Sequence, residues 1–174
     1  MQGSDYTVFV VERRWADALT SQAEFVVGTT LPSVNPVCSD TSAHDAALAI
    51  GYVYYNGGPQ FVEDQSCSAI FGDSPPAVTA QAVGNLLVEH GVRFDRSQGH
   101  QLWMKGTLVE VNSYTGSILY AQGGAIGRAF LDSYPATSDQ RFRGDIAEVI
   151  VYDAALSNTD LIAVESYLQA HWKN

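Results

Sequence analysis

Apolar and polar residues alternate along this chain in short runs, and turn residues interrupt them at fairly even intervals. Tyr6–Arg13 (YTVFVVER) concentrates β-branched and aromatic residues and predicts a strand. Glu24–Gly28 (EFVVG) predicts a second, and Ala47–Tyr55 (ALAIGYVYY) a strong third, stopped by Asn56–Gly57–Gly58–Pro59. Weaker strands are expected at Gln60–Val62 and Ser68–Phe71, before the breaker Gly72–Pro76. Leu86–Asp95 (LLVEHGVRFD) alternates: Leu87, Glu89, Gly91 and Arg93 share one side, and Leu86, Val88, His90, Val92 and Phe94 the other. That pattern predicts a half-buried strand. His100–Met104 and Leu108–Val111 flank Lys105–Gly106–Thr107, which reads as a hairpin turn. Ala125–Phe130 and Phe142–Tyr152 complete the strands. Many short strands about 10 residues apart argue an all-β sandwich or barrel.

The periodicity changes once. Over Asn158–Trp172, Leu161, Val164, Leu168 and Trp172 fall at helical spacing and form one apolar stripe. Ser157 is placed to cap that helix, with Asp160 in its first turn at the positive end of the helix dipole. The expected role of this C-terminal amphipathic helix is to cover a sheet.

Length and composition narrow the picture. The chain has 174 residues, which suits a single domain spanning 1–174. Nine basic residues face 19 acidic ones, a formal net charge of −10. Such a field repels phosphate backbones and anionic membranes, so nucleic acid and a membrane surface are not expected partners. No apolar run reaches the roughly 18 residues of a membrane span, so no membrane insertion is expected. No signal peptide is legible before Tyr6, which also fits a trimmed or mature form. Cys38 and Cys67 lie in polar, loop-like stretches; a disulfide between them is the expectation, and would mark an exported protein.

The stretch Phe142–Trp172 (FRGDIAEVIVYDAALSNTDLIAVESYLQAHW) resembles the C-terminal signature of bacterial laminin-G-like domains in the concanavalin-A-like lectin/glucanase superfamily. It supplies Phe142, Gly144, Ile146, Glu148, Val149, Ile150, Tyr152, Leu156 and Ser157 in the family's order. Tyr6–Arg13, Arg93–Asp95 with Gln101–Val109, and Ala125–Arg128 are similar to other strands of that family. About half the chain is covered; 31–76 matches nothing in the pattern. The resemblance implies a two-sheet antiparallel jelly-roll sandwich. Strands that often precede Tyr6–Arg13 in longer members are missing here, which implies an open edge for a neighbouring segment or subunit.

The resemblance also frames the chemistry. Glucanases of this superfamily need two carboxylates about 5–5.5 Å apart. On Phe142–Tyr152 the same-face positions are Glu148, Ile150 and Tyr152, and a regular strand would point Asp145 to the opposite face. A glycosidase is therefore not expected. His44, His90, His100 and His171 are scattered, and no Gly–x–Ser–x–Gly elbow is present, so the chain is not read as an enzyme. Many superfamily members hold a structural calcium, for which Asp132, Asp139 and Asp145 are the candidate ligands. Sugars stack on aromatic faces and are fixed by polar groups. Tyr52, Tyr54, Tyr55, Trp103 and Tyr134, with Arg128, are the candidate ligand-binding residues. Trp15 follows Arg13 and Arg14 in a loop-like stretch where exposure is expected. Arg143–Gly144–Asp145 spells an integrin-binding tripeptide, but at a strand entry rather than a loop tip. The leading reading is a non-catalytic carbohydrate-binding, lectin-like module of an extracellular or cell-surface protein, with a glycan or surface polysaccharide as partner. The alternative is a structural or adhesive tip domain of a fibre, adhesin or virion appendage, with homo-oligomers expected.

Overall fold

A computed structural model of the chain describes residues 5–15, 23–30, 48–55, 58–65, 69–71, 87–113, 115, 122–128 and 141–172. The strands are β1 (Tyr6–Arg14), β2 (Ala23–Thr30), β3 (Leu48–Tyr55), β4 (Gly58–Gln65), β5 (Ala69–Phe71), β6 (Val88–Asp95), β7 (Gly99–Met104), β8 (Thr107–Asn112), β9 (Gln122–Ile126) and β10 (Gly144–Tyr152), followed by helix α1 (Asn158–Trp172). They form two antiparallel five-stranded sheets, ordered β10-β1-β6-β7-β8 and β5-β4-β3-β2-β9. This is the jelly-roll sandwich with a closing helix that the periodicity and the resemblance imply. Gly58 and Pro59 belong to β4 rather than to a stop, because Tyr55 pairs with Gly58 in the β3–β4 ladder. Strand β9 ends earlier than expected, at Ile126, because Gly127 with a φ of +82° leaves the extended region.

The core between the sheets is built by alternation. Tyr6, Val8 and Val10 of β1, with Val92, Phe94 and Leu102, meet Val26, Leu48, Ile50, Tyr52 and Phe61 of the facing sheet. Gly51 is dictated by the close approach of β2, since a Cβ there would lie 2.3 Å from the Glu24 carbonyl oxygen. The opposite face of the first sheet carries Phe9, Val11 and Trp103, and α1 lays Leu161 and Leu168 on them. For this reason β6 is buried on both faces instead of one. A strand with Glu89, Gly91 and Arg93 on its second face reads as half-solvated; the helix covers that face.

Polar side chains fix where α1 starts. Ser157 Oγ accepts from the Asp160 amide at 3.2 Å and donates to the Asp160 carboxylate at 2.7 Å, the expected cap. From β6, Arg93 donates to the Leu156 carbonyl at 2.8 Å and to Asn158 Oδ1 at 2.7 Å. The Thr7 hydroxyl of β1 donates to the Ala154 carbonyl and accepts from the Leu156 amide. At the far end, the Trp172 indole N–H donates to Glu148 at 2.7 Å.

Under the helix sits a pair of buried carboxyl groups, Glu89 of β6 and Glu165 of α1. Among the described residues their four oxygens meet no donor at hydrogen-bond geometry. The β7–β8 turn lies directly below them: Lys105 and Gly106 both have positive φ, the type I′ signature. A Cβ at Gly106 would stand 3.3 Å from the Gln169 amide nitrogen and 3.6 Å from Glu165 Oε2. Burial, then the neighbouring Glu165 charge, pushes Glu89 up to about 7, with Gln169 and Lys105 pulling the other way. Burial likewise pushes Glu165 up to about 7 against the Gly106 backbone N–H.

A second polar set lies inside the sandwich. The Tyr52 hydroxyl donates to Glu12 Oε1 at 2.5 Å, and His90 Nε2 stands 3.0 Å from that hydroxyl and 3.2 Å from Glu12. Burial, then the Glu12 carboxylate, holds the Tyr52 phenol well above its usual range, so it stays a donor. Phe61 stacks on His90 with centroids 3.7 Å apart. Nearby, the Tyr6 hydroxyl donates to Glu63, whose other oxygen meets His100 Nδ1 at 2.8 Å.

These two sets generate two predictions. The unfolded carboxyls release their protons near 4.5 while the folded chain holds them on Glu89 and Glu165 to about 7, so raising the pH through that window favours the unfolded state. Stability contributed by this pair is therefore full below about pH 4.5, falls as pH rises towards about 7, and is flat above it. Glu165→Gln should remove much of that slope and raise the thermal midpoint at pH 8 by several degrees relative to wild type, measured by calorimetry across pH 4.5–8. An unchanged slope would contradict it. Tyr52→Phe leaves the buried Glu12 carboxylate short of a donor and should cost about 1–3 kcal/mol in denaturant unfolding at pH 7. Wild-type stability in that variant would contradict the role given to the hydroxyl.

Candidate functional site

Strand β1 ends at Arg14, but its ladder with β10 does not. Arg13 pairs with Asp145 and Arg14 with Gly144, and the Trp15 amide then donates to the Arg143 carbonyl at 3.1 Å. Paired residues share a face. Arg13, Trp15, Arg143 and Asp145 therefore stand on the outer face of the first sheet, the face that α1 covers further along. The helix stops short of them: its last residue, Trp172, ends on Glu148.

One carboxylate oxygen organises this rim. Asp145 Oδ2 accepts from Arg13 Nε at 2.9 Å, from Arg13 Nη2 at 2.6 Å and from the Trp15 indole N–H at 3.3 Å. Oδ1 takes none of these three bonds. The Arg13 and Trp15 donors hold the Asp145 carboxyl below its usual range, so it is an ionised acceptor at neutral pH. The indole is thus oriented by its nitrogen while Trp15 remains 52% exposed. A large exposed ring fixed by its polar edge offers a stacking face at little conformational cost. Arg13 and Asp145, each close to half exposed, add a donor and an acceptor beside it.

Arginines gather around this rim. Arg128 and Arg141 form an antiparallel bridge, and Arg141 also bridges Phe25 of β2. The Gly127 amide donates to the Val26 carbonyl at 2.6 Å, and the Phe142 amide to the Gly127 carbonyl at 2.8 Å, which ties both segments to β2. Arg128 and Arg141 are exposed and Arg143 is half-buried. Behind them Arg14 is buried, 3.3 Å from Glu24 and with its guanidinium 4.3 Å from the Tyr52 ring centroid. Burial pushes the Glu24 carboxyl up, against the pull of Arg14 and Arg143.

The residues read from the sequence fall in three places. Tyr52 is 1% exposed and Trp103 8%, so both are core residues: one belongs to the polar set between the sheets, the other packs under α1. Neither presents a ring to a ligand, which corrects the expectation for these two. Arg128 and Asp145 lie at the rim, Asp145 bound to Arg13 and Trp15. Tyr134, Asp132, Asp139, Cys38 and Cys67 lie outside the described residues, as do the side chains of Tyr54 and Tyr55. Among the described residues no group of three or more His, Cys, Asp or Glu side chains is arranged to hold a metal ion.

One further reading changes. The ladder skips Ala147, because Val11 pairs with Glu148 and Glu12 with Ile146. This bulge puts Asp145 and Glu148 on the same face, not on opposite ones. Each is engaged, Asp145 by Arg13 and Trp15, Glu148 by Trp172. The Arg143–Gly144–Asp145 tripeptide is part of the β1–β10 ladder and not a loop tip. What the sequence reading missed is the meeting of Trp15 with Arg143. The signal was available in the resemblance, which made Tyr6–Arg13 and Phe142–Tyr152 strands of one fold, but their pairing was not legible.

No protein-family model matches the chain, and no curated protein matches it in sequence. Solved structures do match in shape. The CBM40 domain of the Ruminococcus gnavus IT-sialidase superposes with a TM-score of 0.59 at 17% identity, over 93% of this chain and 83% of that one, and has also been solved bound to α2,3-sialyllactose. Domain 4 of AbnA, an extracellular arabinanase of Geobacillus stearothermophilus in complex with arabinotriose, gives 0.58 at 14% identity, over 93% and 66%. A heptameric SAP-like pentraxin from Limulus polyphemus gives 0.60 at 12% identity, over 93% and 70%. At these identities the likeness is one of fold: the chain has the jelly-roll sandwich found in carbohydrate-binding modules.

Proposed function

We propose that the chain is a non-catalytic carbohydrate-binding module that takes a glycan at the rim of its helix-bearing sheet. The observation that carries this reading is Trp15: a half-exposed indole, held by Asp145, beside the Arg13–Asp145 ion pair. An aromatic platform with an adjacent donor and acceptor suits a sugar ring, one face stacked and its hydroxyls bonded. Module-like neighbours that bind sialyllactose and arabinotriose support the same class of ligand. Each bidentate or hydroxyl contact is modest, so affinity is expected in the micromolar to millimolar range typical of a small exposed site. Attachment to a surface or secreted glycoside-acting protein fits the same reading, and a structural calcium involving Asp132 and Asp139 stays part of the proposal.

The test is retention on a glycan array with and without chelator, followed by titration calorimetry of retained glycans. Trp15→Ala should weaken binding by about 10-fold or more, equivalent to about 1.4 kcal/mol. Its thermal midpoint should stay close to wild type, because the ring is not in the core. Retention by the variant equal to wild type would move the site elsewhere. No glycan retained by the wild-type chain would end the carbohydrate reading and favour an adhesive tip domain.

A further inference from the structure

Helix α1 is held differently from the strands it covers. It adds to neither ladder, and none of its residues belongs to the core between the sheets. Its attachment is a separate apolar cluster, in which Leu161 and Leu168 lie on Phe9, Val11 and Trp103. Polar bonds pin its two ends: Arg93 and Thr7 at the entry, Trp172 on Glu148 at the exit. The helix can therefore lift without breaking a strand pairing, as a unit of lower stability than the sandwich beneath it.

The Glu89–Glu165 pair lies within that contact. Glu89 pairs with Val11 across the β1–β6 ladder, which places it on the face that α1 covers. Glu165 comes from α1, between Leu161 and Leu168, and both acids are buried. The β7–β8 turn closes the site from the side, with Gly106 against Glu165 and Gln169. Lys105 of that turn, half-buried, is the cation that acts on Glu89. Other charged groups among the described residues are engaged or turned away. Arg93, further along β6, bonds Leu156, Asn158 and Gln101. Glu148 of β10 takes the Trp172 indole, and Asp160 bonds Ser157. Glu12 of β1 meets Tyr52 and His90 inside the sandwich. Glu110 of β8 pairs with Leu102, a residue of that inner core. His171 is exposed and stacked on Tyr167. One ammonium thus faces two carboxyls, and adjacent buried carboxylates resist ionising together.

We propose that this pair makes α1 a pH-released strap: the helix stays docked while Glu89 and Glu165 hold at least one proton between them, and lifts from the sheet, with the sandwich intact, once both are ionised. Burial holds each carboxyl up to about 7 under the helix, whereas a lifted helix returns both to water and to about 4.5. Lifting therefore releases protons. Docking is strongest below about pH 4.5, weakens as the pH rises towards about 7, and is level above it. The loss falls on α1 before it reaches the sheets, because the apolar core between them contains neither acid. Lifting uncovers Phe9, Val11 and Trp103 and frees Glu148 from Trp172.

The experiment is amide hydrogen exchange of the full chain between pH 5.5 and 8.5, read by mass spectrometry and corrected for the intrinsic rate at each pH. Peptides from α1 are compared with peptides from β1, β6 and β10 in the same sample. Protection of α1 should fall at least about 10-fold between pH 5.5 and 7.5, and change by no more than about 2-fold from there to pH 8.5. Protection of the three strands should hold within about 2-fold throughout. Glu165→Gln or Glu89→Gln alone should reduce the fall in α1 to about 3-fold, and the double variant should remove it. A wild-type helix whose protection does not change with pH overturns the switch. A parallel fall in α1 and the strands overturns local release, since the whole chain is then opening. A fall of wild-type size in both single variants overturns the assignment to this pair.

Discussion

The antiparallel pairing of β1 with β10 is the constraint on which the other features depend. It joins residues that are well over a hundred positions apart, Thr7 to Tyr152 and Arg14 to Gly144. Because β1 also pairs with β6, it becomes a central strand with both faces available for burial. One face takes the second sheet. The other takes α1, which follows β10 by a short turn and can only lie over the strands beside it. The bulge at Ala147 turns Asp145 outward to meet Arg13. The backbone bond from Trp15 to Arg143 extends the ladder beyond the last strand residue. The candidate site is therefore a by-product of closure: it sits where the first and last strands run out from under the helix.

Closure of this kind has an unusual interior. Glu12, Arg14, Glu24, Glu63, Glu89, His90, His100 and Glu165 are all buried. Isolated, any of these would be costly. Six of them occur in partnered sets inside the sandwich, Glu12 with Tyr52 and His90, Arg14 with Glu24, Glu63 with Tyr6 and His100, while Glu89 and Glu165 face each other under α1. Such pairings add little to stability compared with apolar packing of equal volume. They do penalise any shift of one sheet over the other, since a slip by one residue would strand several charges at once. The Arg14–Glu24 pair also stands directly behind the rim and fixes β1 against β2 at the position where Trp15 emerges.

How far the chain could be read by eye follows from what kind of interaction sets each feature. Alternation and turn residues are local, so the strands and the cap at Ser157 were legible to within a few residues. Two-sided burial of β6 was not, because it depends on a helix 60 residues away. Tyr52 and Trp103 looked like ligand-facing aromatics since a ring gives no local sign of which face it takes. Their burial follows from the β2–β3 register and from α1. Trp15 gave the opposite case: two preceding arginines hinted at exposure, but its partners Asp145 and Arg143 come from the far end of the chain. The two opposing acids, Asp145 and Glu148, were misassigned to opposite faces because a bulge breaks the two-residue period without leaving a mark in composition.

Chemically, the account comes down to one oriented indole among arginines on an acidic sandwich. The chain has three tryptophans, and they sit in three different settings: Trp15 exposed and bonded to Asp145, Trp103 buried under the helix, Trp172 bonded to Glu148. Their indole N–H signals can be followed separately in a 15N–1H spectrum once each is assigned by substitution. On addition of a glycan that the chain retains, the Trp15 signal should move progressively to saturation, while those of Trp103 and Trp172 stay within a small fraction of that shift. A spectrum in which Trp15 is still and Trp103 or Trp172 moves would contradict the account.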